Sequence, residues 1–425
     1  MKSLEAIAAS LQGYDPQALR ADAALQFLQR LVTPLQQTET VDLKAALGRV
    51  LATDVVSPID VPAHDNSAMD GYALDGSQLQ PGQHLRLQVV GTALAGKAWS
   101  GSLGPGQCLK IMTGAVMPLG LDTVAPQEMV RVEGTQITLP ADALQRGDNR
   151  RFRGEDLRQG HAALLAGTAI GPAALGLLAS LNIAQATVCR RLRVAFFSTG
   201  DEILSLGQAP REGAVYDSNR YTLYGLLSRM GVEVLDMGVV RDDPMALEAA
   251  FRMAADQADA IITSGGVSVG EADHTKAVMQ KMAGGTGGVA FWKIAMRPGR
   301  PMAVGRIGPA VLFGLPGNPV AVMVTFLAFV RPALQQMMGM AASQAPLLKA
   351  HCLEPIRKKP GRTEFQRAIV QTASDGSLQV RTTGQQGSGV LSSMAAANGL
   401  MVLHHEQGNV APGEEVDVLM FEGVI

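Results

Sequence analysis

The sequence predicts a multidomain α/β protein built around a doubly wound, mainly parallel sheet. Between residues 192 and 340, strand-length runs alternate with helix-length segments, the pattern that winds a parallel sheet. Several of those runs, such as Arg193-Val-Ala-Phe-Phe-Ser198 and Ala310-Val-Leu-Phe313, are apolar at nearly every position, as strands covered on both faces require. The flanking regions have another texture, rich in Gly and Pro with short alternating runs, which reads as separate β-rich domains. At 425 residues the chain exceeds one ordinary domain. The boundaries read as a mixed N-terminal part (1–63 with 157–191), a β-rich domain (64–156), the α/β domain (192–343) and an all-β C-terminal domain (344–425).

Residues 1–20 carry little pattern and read as peripheral. Asp22 is placed to cap a helix whose Leu25, Leu28 and Leu31 recur at helical spacing, and a second helix is expected over 42–51. Residues 64–156 contain short runs such as Leu85–Val90 and Gln136–Leu139 between turns. From Ala162 to Cys189 there is no charged residue, a length that invites a membrane reading. Gly171-Pro172 and Asn182 break it, so it reads as strand, helix opened by Pro172, and strand. In the α/β domain the order is strand 193–198, helix 219–230, strands 232–235 and 238–240, helix 244–257, strand 260–262, a helix from Thr275, a segment 289–305, strand 310–313, and a buried helix from Val320 to Val330. That last run is too short to span a bilayer. Beyond 345, Gly361-Arg362, Asp375-Gly376 and Pro412-Gly413 punctuate short strands.

Composition bounds the function. With 36 basic and 38 acidic residues the net charge is −2, so no nucleic-acid footprint is expected over the whole chain. Cys108, Cys189 and Cys352 are scattered and odd in number, which argues against a disulfide framework or structural zinc and fits a reducing cytoplasm. The first residues open no apolar run, so no secretory signal is read.

In an open parallel sheet, ligands bind outside the carboxyl ends of the strands. Four expected strand ends here carry polar or Gly-rich sequence: Asp201-Glu202, Asp242-Asp243, Ser264-Gly265-Gly266 through Asp273, and Leu315-Pro316-Gly317-Asn318. Any one alone reads as a turn; four on one edge read as a site. The glycines admit an anion close to backbone N–H groups, and the helix from Thr275 presents its N-terminus. Glu202, Asp242 and Asp273 bring carboxylates to the same place. Two bare carboxylates about 4 Å apart repel by roughly 4 kcal/mol at an effective dielectric of about 20. A hard cation reconciles the two, since Mg²⁺ takes oxygens from carboxylates and phosphates together. No GxxxxGK[ST] occurs, so a P-loop is excluded. Lys293, Arg297 and Arg300 lie within eight residues, and Arg362 and Arg367 follow; Arg forks suit oxyanions, though a solvated basic strand is the plain alternative. The loop His64-Asp65-Asn66-Ser67-Ala68-Met69-Asp70 reads equally as an Asx-turn. His404 and His405 read as structural.

The ordered set Asp65-Asn-Ser-Ala-Met-Asp-Gly-Tyr-Ala73, Ile111-Met-Thr-Gly114, Arg153-Gly-Glu-Asp156, Ser198-Thr-Gly-Asp-Glu202, Ser264-Gly-Gly-Val-Ser-Val-Gly-Glu-Ala-Asp273 and Gly314-Leu-Pro-Gly-Asn-Pro319 is similar to that of the molybdopterin molybdenumtransferase family, to which the E domain of gephyrin is related. The resemblance covers nearly all of the chain after about residue 20. It implies a molybdopterin-binding-type α/β domain within a four-part, elongated subunit that forms a homodimer. It implies insertion of molybdenum from molybdate into adenylylated molybdopterin, with Mg²⁺ and release of AMP. Motif match assigns activity to Asp70, Thr113, Asp156, Glu202, Asp242, Asp273 and Lys293; of these, Glu202, Asp242 and Asp273, the clustered acids on the binding edge, are expected as metal ligands, Glu202 as ligand or proton acceptor. The loops holding Ser264, Gly265, Gly266, Ser268, Pro316, Asn318 and Pro319 are expected to bind the cofactor, and Arg297, Arg300, Arg367 and Ser388 match the molybdate region. The Asp65–Tyr72 loop is expected to reach the α/β part of the partner subunit. Partners implied are small-molecule substrates, with transient contact to a molybdopterin adenylyltransferase and cofactor-receiving enzymes. The chain departs from the family with Arg at 297 and 300 where Lys is common, His64 where Phe is usual, and the loop 284–288. Two other functions stay open on these residues: another Mg-dependent transferase or hydrolase acting on a nucleotide-linked substrate, and a non-catalytic molybdopterin-binding scaffold.

Overall fold

A computed structural model describes residues 3–267, 274–284, 288–341 and 345–421. Contacts divide the chain into two compact units: one of Met1–Ala52, Gly167–Gly171 and Ala186–Ile425, the other of Thr53–Ala166 and Pro172–Gln185.

The first unit is organised by a six-stranded sheet. Its strands are β1 (Arg193–Thr199), β2 (Glu233–Val240), β3 (Ala260–Ser264), β4 (Val289–Lys293), β5 (Pro301–Ile307) and β6 (Ala310–Leu315). The order is β2-β1-β3-β6-β5-β4; the first four are parallel, and β5 and β4 add antiparallel. The chain passes from β1 to β2 on one side and then to β3 on the other. That reversal opens a crevice at the carboxyl ends of these strands. Helices α1 (Ser218–Arg229), α2 (Pro244–Gln257), α3 (His274–Met282) and α4 (Pro319–Met337) cover both faces. Alternation along β1 explains the double covering. Val194 and Phe196 pack with Leu223, Leu226 and Leu227 of α1, and Ala195 and Phe197 pack with Leu247 and Phe251 of α2. The expected doubly wound, mainly parallel sheet covered on both faces thus holds.

Local differences from the sequence reading have local causes. The two short runs at 232–240 are one strand: its register shifts beside Gly238, whose φ of +79° makes a bulge. The expected helix over 42–51 is only a 3-10 turn, Leu43–Ala46, closed by Gly48 at φ +75°. Asp22 lies inside its helix, Ala21–Leu31, and pairs with Arg20 rather than capping. The N-terminal residues are packed, not peripheral. Ser3 caps a helix Leu4–Ala9 that buries Leu4 and Ile7, and the Leu19 N–H donates to the Lys293 carbonyl. The signal overlooked was the spacing of Leu4, Ile7 and Leu11. The apolar helix α4 runs past Arg331-Pro332 because a π-turn at Phe326–Val330 absorbs the proline. α4 is long and apolar enough to cross a bilayer, but 67% of its apolar window is buried against this core, so it reads as a core helix.

The C-terminal strands Leu348–Cys352, Thr363–Thr372, Leu378–Thr382, Gly399–Leu403 and Glu415–Met420 close on themselves as a small barrel. Its interior holds Ala368, Val380, Met401 and Val418. Met296–Arg297 adds to the barrel, pairing in parallel with Thr363 and Glu364. This hands the basic segment after β4 across to the barrel.

The second unit contains a six-stranded sheet in the order Thr123–Pro126, Gly71–Leu74, Gln107–Ile111, Leu85–Ala93, Gln136–Leu139, Arg131–Glu133. The uncharged stretch forms strand Ala162–Leu164, helix Pro172–Ser180 and strand Gln185–Cys189, as the breakers indicate.

Candidate functional site

The carboxyl ends of β1, β3 and β6, with the segment after β2, open into a cleft of about 770 Å³. Thr199, Gly200 and Glu202 line it from the end of β1, Asp242 from the end of β2, Gly265 and Gly266 from β3, and Pro316, Gly317 and Asn318 from β6. The segment after β4 adds Arg297 and Arg300. The barrel adds Arg362 and the loop Gln386–Gly387–Ser388.

The glycines here serve a geometric need. Gly265 has φ +93°, and a Cβ there would lie 2.5 Å from the Thr199 carbonyl oxygen; Gly266, at φ +67°, would meet the Thr275 side chain at 2.5 Å. The Gly265 N–H already donates to the Leu315 carbonyl. Gly265 therefore lets two strand ends converge, and its amide is not free for an anion.

The adjacent aspartates at 242 and 243 divide their work. Asp243 caps α2, accepting from the N–H groups of Met245 and Ala246. Asp242 faces the cleft and accepts from the Thr275 hydroxyl at 3.3 Å. Glu202 folds back over Gly200, where a Cβ would lie 2.6 Å from its Oε2. Neither Glu202 nor Asp242 has an ion-pair partner among the described residues. Two carboxylates without a cationic partner on one cleft wall fit a hard divalent cation. Among the described residues no three His, Cys, Asp or Glu groups converge; the third expected ligand, Asp273, and Ser268 lie outside the described residues, as does most of the loop 284–288.

A buried polar seam lies under the loops. Asn219 donates from Nδ2 to Ser264 Oγ at 2.7 Å and to the Gly317 carbonyl at 2.6 Å, tying the β3 and β6 ends together. Asp217 caps α1 and accepts from the Ser198 hydroxyl. Ser264 is thus buried in the seam rather than exposed in the cleft. Pro319 opens α4, and the N–H of the next residue, Val320, donates to the Ser388 carbonyl, which fixes the barrel loop at the cleft.

The basic residues differ in their freedom. Arg297 and Arg300 are exposed, with no side-chain partner among the described residues. Arg367 is fully buried, and its guanidinium donates to the carbonyls of Gln385, Gln386 and Gly387 and to Ser393 Oγ. Burial, and then the Arg297 charge, push its pKa down. It borders a smaller pocket of about 280 Å³ that shares Arg297, Pro298 and Gln386 with the main cleft. Lys293 is half-buried at the end of β4 and does not line the cleft.

In the second unit, Asp70 and Thr113 are brought together. The Thr113 N–H and hydroxyl both donate to Asp70 Oδ1 at 2.7 Å, and these bonds hold the carboxyl below its usual range. Asp65 pairs with Arg150 and accepts from the Arg153 N–H, fixing the neighbouring loop. Asp156 is exposed, and its N–H donates to the Val61 carbonyl.

Residues that the sequence reading did not select include Thr199, Asn219, Thr275, Gln386 and Gly387. The Asp217-Ser218-Asn219 cap at the start of α1 was the readable signal for one of them.

Family models match three regions: the MoeA N-terminal region (domain I and II) at 19–182, a probable molybdopterin binding domain at 195–336, and the MoeA C-terminal region (domain IV) at 349–421. The molybdopterin molybdenumtransferase of Haemophilus influenzae is 40% identical over 95% of this chain and 98% of its own length. That of a Nostoc species is 37% identical over 90% and 89%. The crystal structure of a molybdopterin biosynthesis moeA protein from Pyrococcus horikoshii covers 95% of this chain and 100% of its own, with a TM-score of 0.79 at 28% identity.

Proposed function

We propose a reaction from one premise: this chain belongs to the molybdopterin molybdenumtransferase family, transferases of molybdenum cofactor biosynthesis. The reaction is insertion of molybdenum from molybdate into adenylylated molybdopterin, dependent on Mg²⁺ and accompanied by release of AMP. The observation that carries it is the cleft, where two carboxylates without an ion-pair partner among the described residues share one lining with three arginines.

That lining suits a substrate with two anionic parts. Cleaving a pterin–adenosine phosphoanhydride builds negative charge on phosphate oxygens, and molybdate is itself an oxyanion. Arg297, Arg300 and Arg362 offer guanidinium forks to oxyanions. Ser388 contributes a side chain from the barrel loop. Pro316 and Asn318 shape the wall against the pterin. Glu202 and Asp242, with Asp273, would hold Mg²⁺, which supplies charge neutralisation at the phosphates and orients an attacking oxygen. Glu202 serves either as one of these ligands or as the proton acceptor.

Asp70, Thr113, Asp156 and Lys293 enter by motif match, Asp70 and Thr113 as one hydrogen-bonded unit. We infer that they act in a homodimer in which the Asp70 loop serves the partner subunit's cleft. The same reading places the protein in the cytoplasm, in transient contact with a molybdopterin adenylyltransferase and with cofactor-receiving enzymes.

A scaffold needs no carboxylates in the cleft, so Glu202 and Asp242, without an ion-pair partner among the described residues, favour catalysis over that second reading. The test is mass spectrometry of nucleotide released from adenylylated molybdopterin, with and without molybdate and Mg²⁺. AMP release that requires Mg²⁺ and is coupled to molybdate is expected; hydrolysis indifferent to molybdate would assign the cleft to another nucleotide-linked substrate.

A further inference from the structure

We propose that Glu364 is a positioning residue: it aims the Arg362 guanidinium at the oxyanion in the cleft. The inference rests on the molybdate-handling reading above. Glu364 sits at the start of the first long barrel strand and is 2% exposed. A carboxylate so buried is costly unless it is paired and hydrogen-bonded. Its Oε1 accepts a hydrogen bond from Arg362 Nε at 2.7 Å and lies 2.6 Å from Nη2 in an ion pair, and its Oε2 accepts from Gln366 Nε2 at 3.1 Å.

Arg362 has five N–H donors in a fixed plane. Glu364 takes the Nε–H and ion-pairs along the Nε–Nη2 edge. The Nη1 donors lie on the far edge of the same plane, and Arg362 lines the cleft with its side chain 38% exposed. The strand pairing of Met296–Arg297 with Thr363–Glu364 sets this arginine beside the basic segment. Among the described residues, Arg297 and Arg300 are unheld and Arg367 spends its donors on the barrel loop. Arg362 is therefore the cleft arginine whose direction is set before a ligand arrives. A pre-aimed fork loses less rotamer freedom on binding.

The sign of one substitution separates positioning from simple charge. Removing the Glu364 charge makes the cleft more positive, which by itself tightens an anion. Losing the aim of Arg362 weakens it. The probe is inorganic molybdate, with its dissociation constant measured by equilibrium dialysis on the full chain. Glu364→Gln is expected to weaken molybdate five- to ten-fold, and Arg362→Ala by a similar factor. The double variant should be no weaker than either single, and Glu364→Asp should recover part of the affinity. Under turnover, Glu364→Gln should raise the half-saturating molybdate while kcat stays within two-fold. Unchanged or tighter molybdate in Glu364→Gln, or additive losses in the double variant, would overturn the proposal. Arg362→Ala removes the aimed fork itself, so an unchanged dissociation constant there refutes the proposal, with a thermal midpoint recorded for each variant to register the unpaired Glu364. A wild-type protein that takes up no molybdate would instead defeat the functional reading and carry this inference with it.

Discussion

Replacing Arg367 with Met should open the barrel loop rather than remove a ligand from the oxyanion. The side chain is fully buried and makes four hydrogen bonds, three of them to the carbonyls of Gln385, Gln386 and Gly387. Met fills much of the space and donates nothing. Hydrogen bonds from a charged group are each worth roughly 1.5–3 kcal/mol. They are not additive, and the loop is partly exposed, so water can replace some donors once it opens. A local loss of about 3 kcal/mol follows, which is about a hundred-fold change in the opening equilibrium. Amide exchange over 385–388 should accelerate by that order, while the strands of the sheet 193–315 keep their protection. Ser388 should then be displaced from the cleft, and the half-saturating molybdate should rise ten-fold or more. Arg367→Lys should fall between the two, since one ammonium cannot reach three carbonyls in a plane. If exchange over 385–388 is unchanged while molybdate affinity collapses, Arg367 touches the oxyanion itself and the loop argument is wrong.

Asp242→Asn should still bind adenylylated molybdopterin but release AMP at least ten-fold more slowly, with partial recovery in excess Mg²⁺; single-turnover AMP release at limiting Mg²⁺ is the check, and a wild-type rate removes Asp242 from the metal reading. Gly265→Ala puts a Cβ 2.5 Å from the Thr199 carbonyl at φ +93°, so about 2–4 kcal/mol of strain and overpacking should lower the thermal midpoint and cripple the cleft; a variant with wild-type midpoint and activity would contradict the geometry. Asp259 is half-buried: burial raises its carboxyl, but the Arg190 side chain and the Arg193 N–H outweigh this and depress it. A depressed carboxyl contributes stability above its unfolded pKa of about 3.9 and loses it as pH falls through the folded value. Asp259→Asn should therefore flatten the decline in stability between about pH 4 and pH 2, measured by denaturant unfolding, and an unchanged slope would count against the ion pair.

The α/β domain was legible because its determinants are local. Apolar strands, glycines at strand ends and helix-length spacers each sit within a few residues, and Glu202, Asp242, Gly265, Gly266, Pro316 and Asn318 could be placed on one edge from topology alone. What escaped depends on contacts between distant segments. Arg367 reads as an oxyanion ligand in sequence because nothing there shows that the 385–387 carbonyls surround it. Asn219 reads as the first residue of a helix, yet its amide joins residues 264 and 317. The two aspartates at 242 and 243 are equivalent in sequence, and only the start of α2 decides which one caps. The expected helix over 42–51 failed because Gly48 stops it and pairing of Val50 and Leu51 with distant strands overrides helical spacing.

The central claim is that this cleft joins nucleotide release to metal insertion. It is tested most directly by metal and pterin analysis of the protein after one turnover with adenylylated molybdopterin, molybdate and Mg²⁺. The account predicts one molybdenum bound per pterin and one AMP released for each, with both absent when molybdate is withheld. AMP released in full while the pterin stays free of metal would contradict it.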